Sequence, residues 1–188
     1  MPNYCSYSMK VVGKKESLEE FIKVIQADYD YGTMEFSYDR HMFRVFDAVN
    51  DEIEERYDGR FEVIISGYCA WGVSSCMLEG GYYRSFKEEY GSRSRGTTLL
   101  LESERLGLDI EVYSEESGMC SQEHYIITNG ELTCEESVEW EEVWVEDYKT
   151  KKEAEEDLEM EITDEEWALG RDEGYFTRGG FDGWDFEI

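Results

Sequence analysis

The sequence predicts an α+β protein: a ferredoxin-like (split βαβ) antiparallel sheet with two helices on one face, plus an acidic C-terminal hairpin and helical appendage. Three observations predict it. Apolar periodicity runs strand, helix, strand, strand, helix, strand over the first two thirds of the chain. The strands alternate apolar with polar, which suits an antiparallel sheet with one covered face. Acidic charge is concentrated late: of a formal net charge of −28, residues 1–99 carry −5 and residues 100–188 carry −23. The expected organisation is a ferredoxin-like domain with hairpin over 1–137, and an acidic extension over 138–188 packed on the same domain.

"YCSYSMKVV" (4–12) reads as the opening strand. "ESLEEFIKVIQAD" follows as a helix, with Ser17 and Glu20 forming a capping box and Leu18, Phe21, Ile22 and Ile25 on one stripe. "HMFRVFDAV" (41–49) and "RFEVIISGYCA" (60–70) are predicted strands on either side of an acidic connection. Residues 71–96, rich in Gly and Ser, read as a long excursion with little regular structure. "TTLLLESERLG" is a helix capped by threonine and ended by glycine, and "LDIEVYS" returns as a strand. "QEHYIITNGELTCEES" is a hairpin, with Asn129 and Gly130 where a two-residue turn needs positive φ. Thr150/Glu153 and Thr163/Glu166 form two further capping boxes, the second helix ended by Gly170. The aromatic, glycine-rich tail "YFTRGGFDGWDFEI" is expected to pack back on the body.

At 40% hydrophobic and 15% aromatic residues, the chain has the material for a core and is not a disordered acidic tail. Its negative field repels nucleic acid and anionic membranes and attracts basic surfaces, so neither direct nucleic-acid binding nor membrane binding is expected. Five cysteines without a C-x-x-C pair point to reduced thiols and a cytoplasmic setting, away from a disulfide framework or a zinc site. No segment approaches twenty apolar residues.

No catalytic motif stands out. Of the two histidines, His124 is mid-strand near Cys120, but a strand histidine needs no catalytic role and nothing else supports an activated nucleophile. Asp28, Asp30 and Gly32 resemble the start of a calcium loop, yet Thr33 stands where that loop needs glycine and Asp39 where it needs glutamate. "YGSRSRGTT" (90–98) is locally basic and precedes a helix N-terminus, a place where an anion can bind.

The strongest compositional signal is residues 136–167, with fifteen acidic side chains in thirty-two positions and three tryptophans. Duplex DNA carries about one charge per 1.7 Å of axis. A short helix bearing Glu153, Glu155, Glu156, Asp157 and Glu159 presents charge at a comparable density. Like charges at i,i+4 weaken an isolated helix, so such a surface costs stability. Two readings stay open: a solvated face over a core that holds the tryptophans, or a surface that a basic partner grips.

"MPNYC", "EVIISGYCAWGV", "LESERLGLDIEVYSEESGMCSQEHYIITNGEL" and "GGFDGWDFEI" together resemble the YubB-type ferredoxin-like family of phage, plasmid and mobile-element proteins. The resemblance covers most of the chain and is most specific over residues 100–138; Ser117–Cys120 depart from the Pro-Gly pair common there. It implies a fold and a mobile-element context, in which small acidic proteins are often antagonists of host defence, and it brings no enzymatic activity and no catalytic residues.

The expected function is therefore a non-enzymatic, anti-CRISPR type inhibitor. Its acidic surface would mimic DNA or RNA and block the basic groove of a host nucleic-acid-binding protein, a CRISPR effector nuclease being the first candidate. The expected contacts are Glu141, Glu142, Glu146, Asp147, Glu155, Glu156, Asp157, Glu165 and Glu166, with Trp140 and Trp144 as anchors. No catalytic residue, cofactor or metal is expected. The alternative is a mobile-element protein that sequesters or acts on a small signalling nucleotide through Arg93 and Arg95.

Overall fold

The computed structural model describes residues 3–30, 32–33, 35–78 and 95–188. The chain forms two units, Met1–Ser137 with Asp182–Ile188, and Val138–Phe181. The protein is α+β, with a large antiparallel sheet and a few helices.

In chain order the first unit holds β1 (Tyr4–Gly13), α1 (Lys15–Ile25), the short pair β2 (Tyr29–Asp30) and β3 (Glu35–Phe36), β4 (Arg40–His41), β5 (Val45–Asn50), β6 (Glu54–Glu55) and β7 (Phe61–Ala70). A single π-helical turn, Ser74–Leu78, comes next. Then follow β8 (Arg95–Gly96), α2 (Leu99–Leu106), β9 (Asp109–Glu116), β10 (Ser121–Thr128) and β11 (Glu131–Trp144), whose far end belongs to the second unit. The sheet runs β11-β10-β9-β1-β7-β5, with β6 also on β7; counting β12 (Tyr175–Gly179) beyond β11, pairing links eight strands.

Antiparallel register sets Cys5 against Cys69, Met9 against Ile65 and Val112, and Tyr125 against Val112. Because side chains alternate along a strand, these residues share one face with Tyr7, Val11, Val63, Ile110 and Ile127. Leu18, Phe21, Val24 and Ile25 of α1 and Leu99 of α2 close over that face as one core. Full burial of Leu18 and Phe21 contributes about 1.5–3 kcal/mol each. Lys14 rather than a capping-box serine precedes α1; the Ser17 hydroxyl, one turn inside, donates instead to the Leu106 carbonyl at 2.8 Å. A tertiary bond between the two helices thus replaces the expected local one.

The strand expected over 41–49 is broken in two. Arg44 at φ +50° interrupts the extended chain, and its carbonyl accepts from Ala70 N–H at 3.1 Å. The helix over 99–106 ends as expected, with the Thr98 hydroxyl accepting from Leu101 N–H and Gly107 left-handed at φ +65°. At the hairpin, Asn129 and Gly130 have φ +51° and +79°. Gly130 is also required by space, since a Cβ there would lie 2.7 Å from Glu104 Cβ.

The second face of the sheet carries Lys10, Glu111, Tyr113 and His124, and the last residues of the chain lie on it. Trp184 stacks parallel to Tyr113 at 6.1 Å, Phe186 meets it edge-on, and the Tyr113 hydroxyl donates to the Asp185 carbonyl at 3.3 Å.

The second unit comprises the end of β11, α3 (Lys151–Asp157), α4 (Asp164–Glu173) and β12, which pairs antiparallel with β11 from Trp140–Gly179 to Trp144–Tyr175. Val143, Val145, Ala154, Ile162 and Phe176 form its core. Thr150 caps α3 through Glu153 N–H, but Glu153 turns its carboxylate to Lys149 N–H, so the expected reciprocal box does not close. Thr163 and Glu166 do form one. Gly170 does not end α4, which runs on to Gly174 at φ +93°. Gly170 is there for packing: a Cβ would stand 2.3 Å from Val145 Cγ2. Among the described residues, no helix is long and apolar enough to cross a membrane.

Candidate functional site

The second unit presents the expected acidic surface on a folded scaffold. It holds 16 acidic residues against 5 basic ones, and 14 of the acids are exposed. Alternation along β11 buries Val143 and turns Glu142 and Trp144 outward, Trp144 being 54% exposed with its ring 4.9 Å from Tyr175. Glu141, Glu146, Asp147, Glu156 and Glu165 are exposed as well. Asp157 is exposed but accepts from the Tyr148 hydroxyl at 2.7 Å. Trp140 is half-buried, and its shielded Nε1 has no hydrogen-bond partner among the described residues.

Two of the expected contacts are occupied within the fold. The Glu155 carboxylate accepts from Ile162 N–H at 3.1 Å. Glu166 accepts from Thr163 N–H at 2.7 Å and from the Arg178 guanidinium at 3.0 Å. The Thr163 N–H first, and Arg178 after it, hold Glu166 below the usual carboxylate range. Beside α3, an open groove of about 650 Å³ is lined by Lys151, Lys152, Glu155, Glu156, Glu159, Met160, Glu161 and Ile162.

The first unit also commits some of its carboxylates to the fold. Glu102 is wholly buried: one oxygen accepts from Arg40 Nε at 2.7 Å and the Thr97 hydroxyl at 2.6 Å, the other from Arg105 Nε at 2.9 Å. Glu123 accepts from Val73 N–H at 2.8 Å, from the Ser114 and Tyr125 hydroxyls at 3.1 Å each, and from the Ser74 hydroxyl, tying the turn after β7 to β10. The anion site expected at 90–98 falls mostly on residues outside those described, including Arg93. At its described end Thr98 caps α2 and Thr97 turns to Glu102, so both threonines already serve the fold. The calcium-like start is likewise committed, Asp30 accepting from Gly32 N–H at 2.7 Å.

His124 is buried, but Cys120 is not its thiol neighbour. The Cys120 Sγ faces the Ser117 carbonyl at 3.7 Å, whereas Cys134 Sγ stands 3.9 Å from His124 Nδ1. His124 Nε2 is 2.9 Å from Glu111 Oε1 on the neighbouring strand, and Nδ1 is 3.5 Å from Glu136 Oε2. Residue spacing hid this cluster. A two-residue turn at 129–130 in strict register puts Cys134 and Glu136 on the opposite face from His124, yet the fold brings the three donor atoms within 4.8 Å of one another. The visible signal was the histidine on one hairpin arm with a cysteine and carboxylates on the other.

Burial first, then the carboxylates of Glu136, Glu187 and Glu111, push the Cys134 thiol up. Burial and Glu111 push Tyr113 up to about 12. An activated thiol needs a positive setting. Here the charged groups that shift Cys134 are all negative, which disfavours a Cys–His nucleophile.

Fold and surface define the class: an α+β protein with a large antiparallel sheet and a small acidic second unit. No family model, no curated protein and no solved structure matches the chain.

Proposed function

We propose that the protein is a non-enzymatic inhibitor whose acidic second unit occupies the basic nucleic-acid-binding groove of a partner protein. One observation carries the reading: a unit with its own small core holds 14 exposed acids on fixed strand and helix positions. Such charge contributes little inside the unit, because exposed ion pairs are worth about 0–1 kcal/mol. It is strong toward a basic cleft, where bound anions are released on association as they are when proteins bind DNA. The YubB-type resemblance supplies the context, a phage or mobile element and a host defence nuclease of the CRISPR effector kind. The ferredoxin-like reading of the sheet rests on the order β9-β1-β7-β5, all antiparallel, with α1 and α2 as the two crossing helices and β10 and β11 extending the sheet beyond β9. Five free thiols suit a bacterial cytoplasm.

The test is nuclease inhibition by the wild type and by a Glu142→Lys/Glu146→Lys/Asp147→Lys/Glu156→Lys variant, against a panel of purified RNA-guided nucleases. The expected result is inhibition that weakens steeply with salt and disappears in the variant, with unchanged circular dichroism and melting. Inhibition that survives the four reversals sinks the proposal, as does a panel on which the wild type has no effect.

A further inference from the structure

On the second face of the first unit's sheet, strand alternation and register place Glu111, Tyr113 and His124 together, and the Cys134 and Glu136 donor atoms lie within 4.8 Å of the histidine's. Tyr113 and His124 are direct cross-strand partners, and their rings stack at 4.0 Å and 6°. Glu111 is two residues from Tyr113 on the same face, so its carboxylate reaches His124 Nε2 at 2.9 Å. The other Glu111 oxygen accepts from Glu187 N–H at 2.6 Å and Ile188 N–H at 3.1 Å. A fully buried carboxylate with this set of partners acts as an acceptor, so it takes the Nε2–H and leaves the lone pair of the ring on Nδ1. The ring is held on its face by Tyr113 and on its edge by Glu111, which aims Nδ1 at Cys134 Sγ and Glu136 Oε2, 3.9 and 3.5 Å away.

We propose that His124 Nδ1, Cys134 Sγ and the Glu136 carboxylate together bind one divalent metal ion of the zinc class. Zinc bond lengths of about 2.05 Å to nitrogen, 2.3 Å to sulfur and 2.1 Å to oxygen give tetrahedral edges of about 3.6 Å for N···S and about 3.4 Å for N···O. The N···S and N···O separations differ from these by a few tenths of an ångström, and all three donor atoms lie within 4.8 Å of one another, gaps that side-chain rotation can close. Nitrogen, sulfur and one oxygen select a borderline-soft dication and disfavour calcium and magnesium, which take oxygen throughout. Glu111 supplies the outer carboxylate that ligating histidines commonly have. Three protein ligands leave a fourth position, and the Glu136 side chain, 58% exposed, puts it on the solvent side. The residue spacing that pointed to no metal site missed this one because its donors converge across two strands.

The site lies wholly in the first unit and does not depend on the inhibitor reading. Its test is titration of the metal-free protein with Co²⁺, watched in the near-ultraviolet and visible. The expected result is one Co²⁺ per chain, with a thiolate-to-cobalt charge-transfer band and tetrahedral d–d bands, displaced by Zn²⁺ and untouched by excess Ca²⁺. Cys134→Ser removes the charge-transfer band, Cys120→Ser keeps it, and Glu111→Gln weakens binding about 10–100-fold with the band retained. Glu136→Gln, a change at an exposed side chain, weakens Co²⁺ binding without unfolding and keeps the test valid should a histidine variant misfold. Absence of the band, its persistence in Cys134→Ser, or displacement by Ca²⁺ overturns the proposal.

Discussion

The first and second units draw on the same acidic residue types and expose most of them, but only the first buries any. In the first, Glu102 and Glu111 are fully buried, with guanidinium, imidazole, hydroxyl and backbone donors around them. In the second, every acidic side chain is exposed or half-buried, around a core of five buried residues. Burying a charge costs several kcal/mol unless donors replace water, so a buried carboxylate defines its surroundings. An exposed carboxylate stays solvated and remains available to something outside the fold. Composition alone cannot separate the two roles, because both come from the same letters.

The largest test of this contrast is Glu102→Ala. It should cost about 3–5 kcal/mol in urea denaturation, since it strands two arginines and Thr97 around an emptied site. Arg40 and Arg105 are 28% and 34% exposed and can turn to water, which favours the lower end. A cost below about 1 kcal/mol would mean that this buried charge does not define its surroundings, and would break the comparison.

His41 extends the contrast to a base. It is buried against Phe36, the rings 3.4 Å apart, and burial lowers its pKa from 6.5 to about 4. The unfolded chain then binds the proton first as pH falls. This group's contribution is therefore complete above about pH 6.5 and is lost progressively down to about pH 4. The loss reaches about 3 kcal/mol. The difference between wild type and His41→Gln, followed by urea midpoints across that range, should shrink as pH falls, because the other titrating groups are common to both. A constant difference would show that His41 titrates normally.

The smallest effect belongs to the second unit. Glu156 and Lys152 form an i,i+4 pair at 3.2 Å with both side chains mostly exposed. Glu156→Gln should change stability by no more than about 0.5 kcal/mol. A melting shift as large as that of a core substitution would show that the surface charges hold the unit together, and would remove the reason for assigning them to a partner.

Much of the fold was legible because its signals are local. Alternation marked β1, β7 and β9, the apolar stripe marked α1, Thr98 and Gly107 bracketed α2, and Asn129-Gly130 marked the hairpin. The local reading failed where a distant group competed: Ser17 bonded to Leu106 instead of capping α1, and Gly170 made room for Val145 instead of ending α4. The acidic surface was visible as composition, but the commitment of Glu155 and Glu166 to Ile162, Thr163 and Arg178 was not.

By itself, the sequence determined the α+β class, most of the strands and helices, the turn residues and the concentration of charge toward the C-terminus. These depend on backbone preferences and periodicities that act over a few residues. Tertiary structure decided which carboxylates are buried, that His41 turns inward, and that His124 meets Cys134 rather than Cys120. Those outcomes depend on strand order and register, which join residues such as Arg40 and Glu102 across 62 positions. A single-residue change of register exchanges one face of a strand for the other, so no reading of neighbours along the chain can supply them.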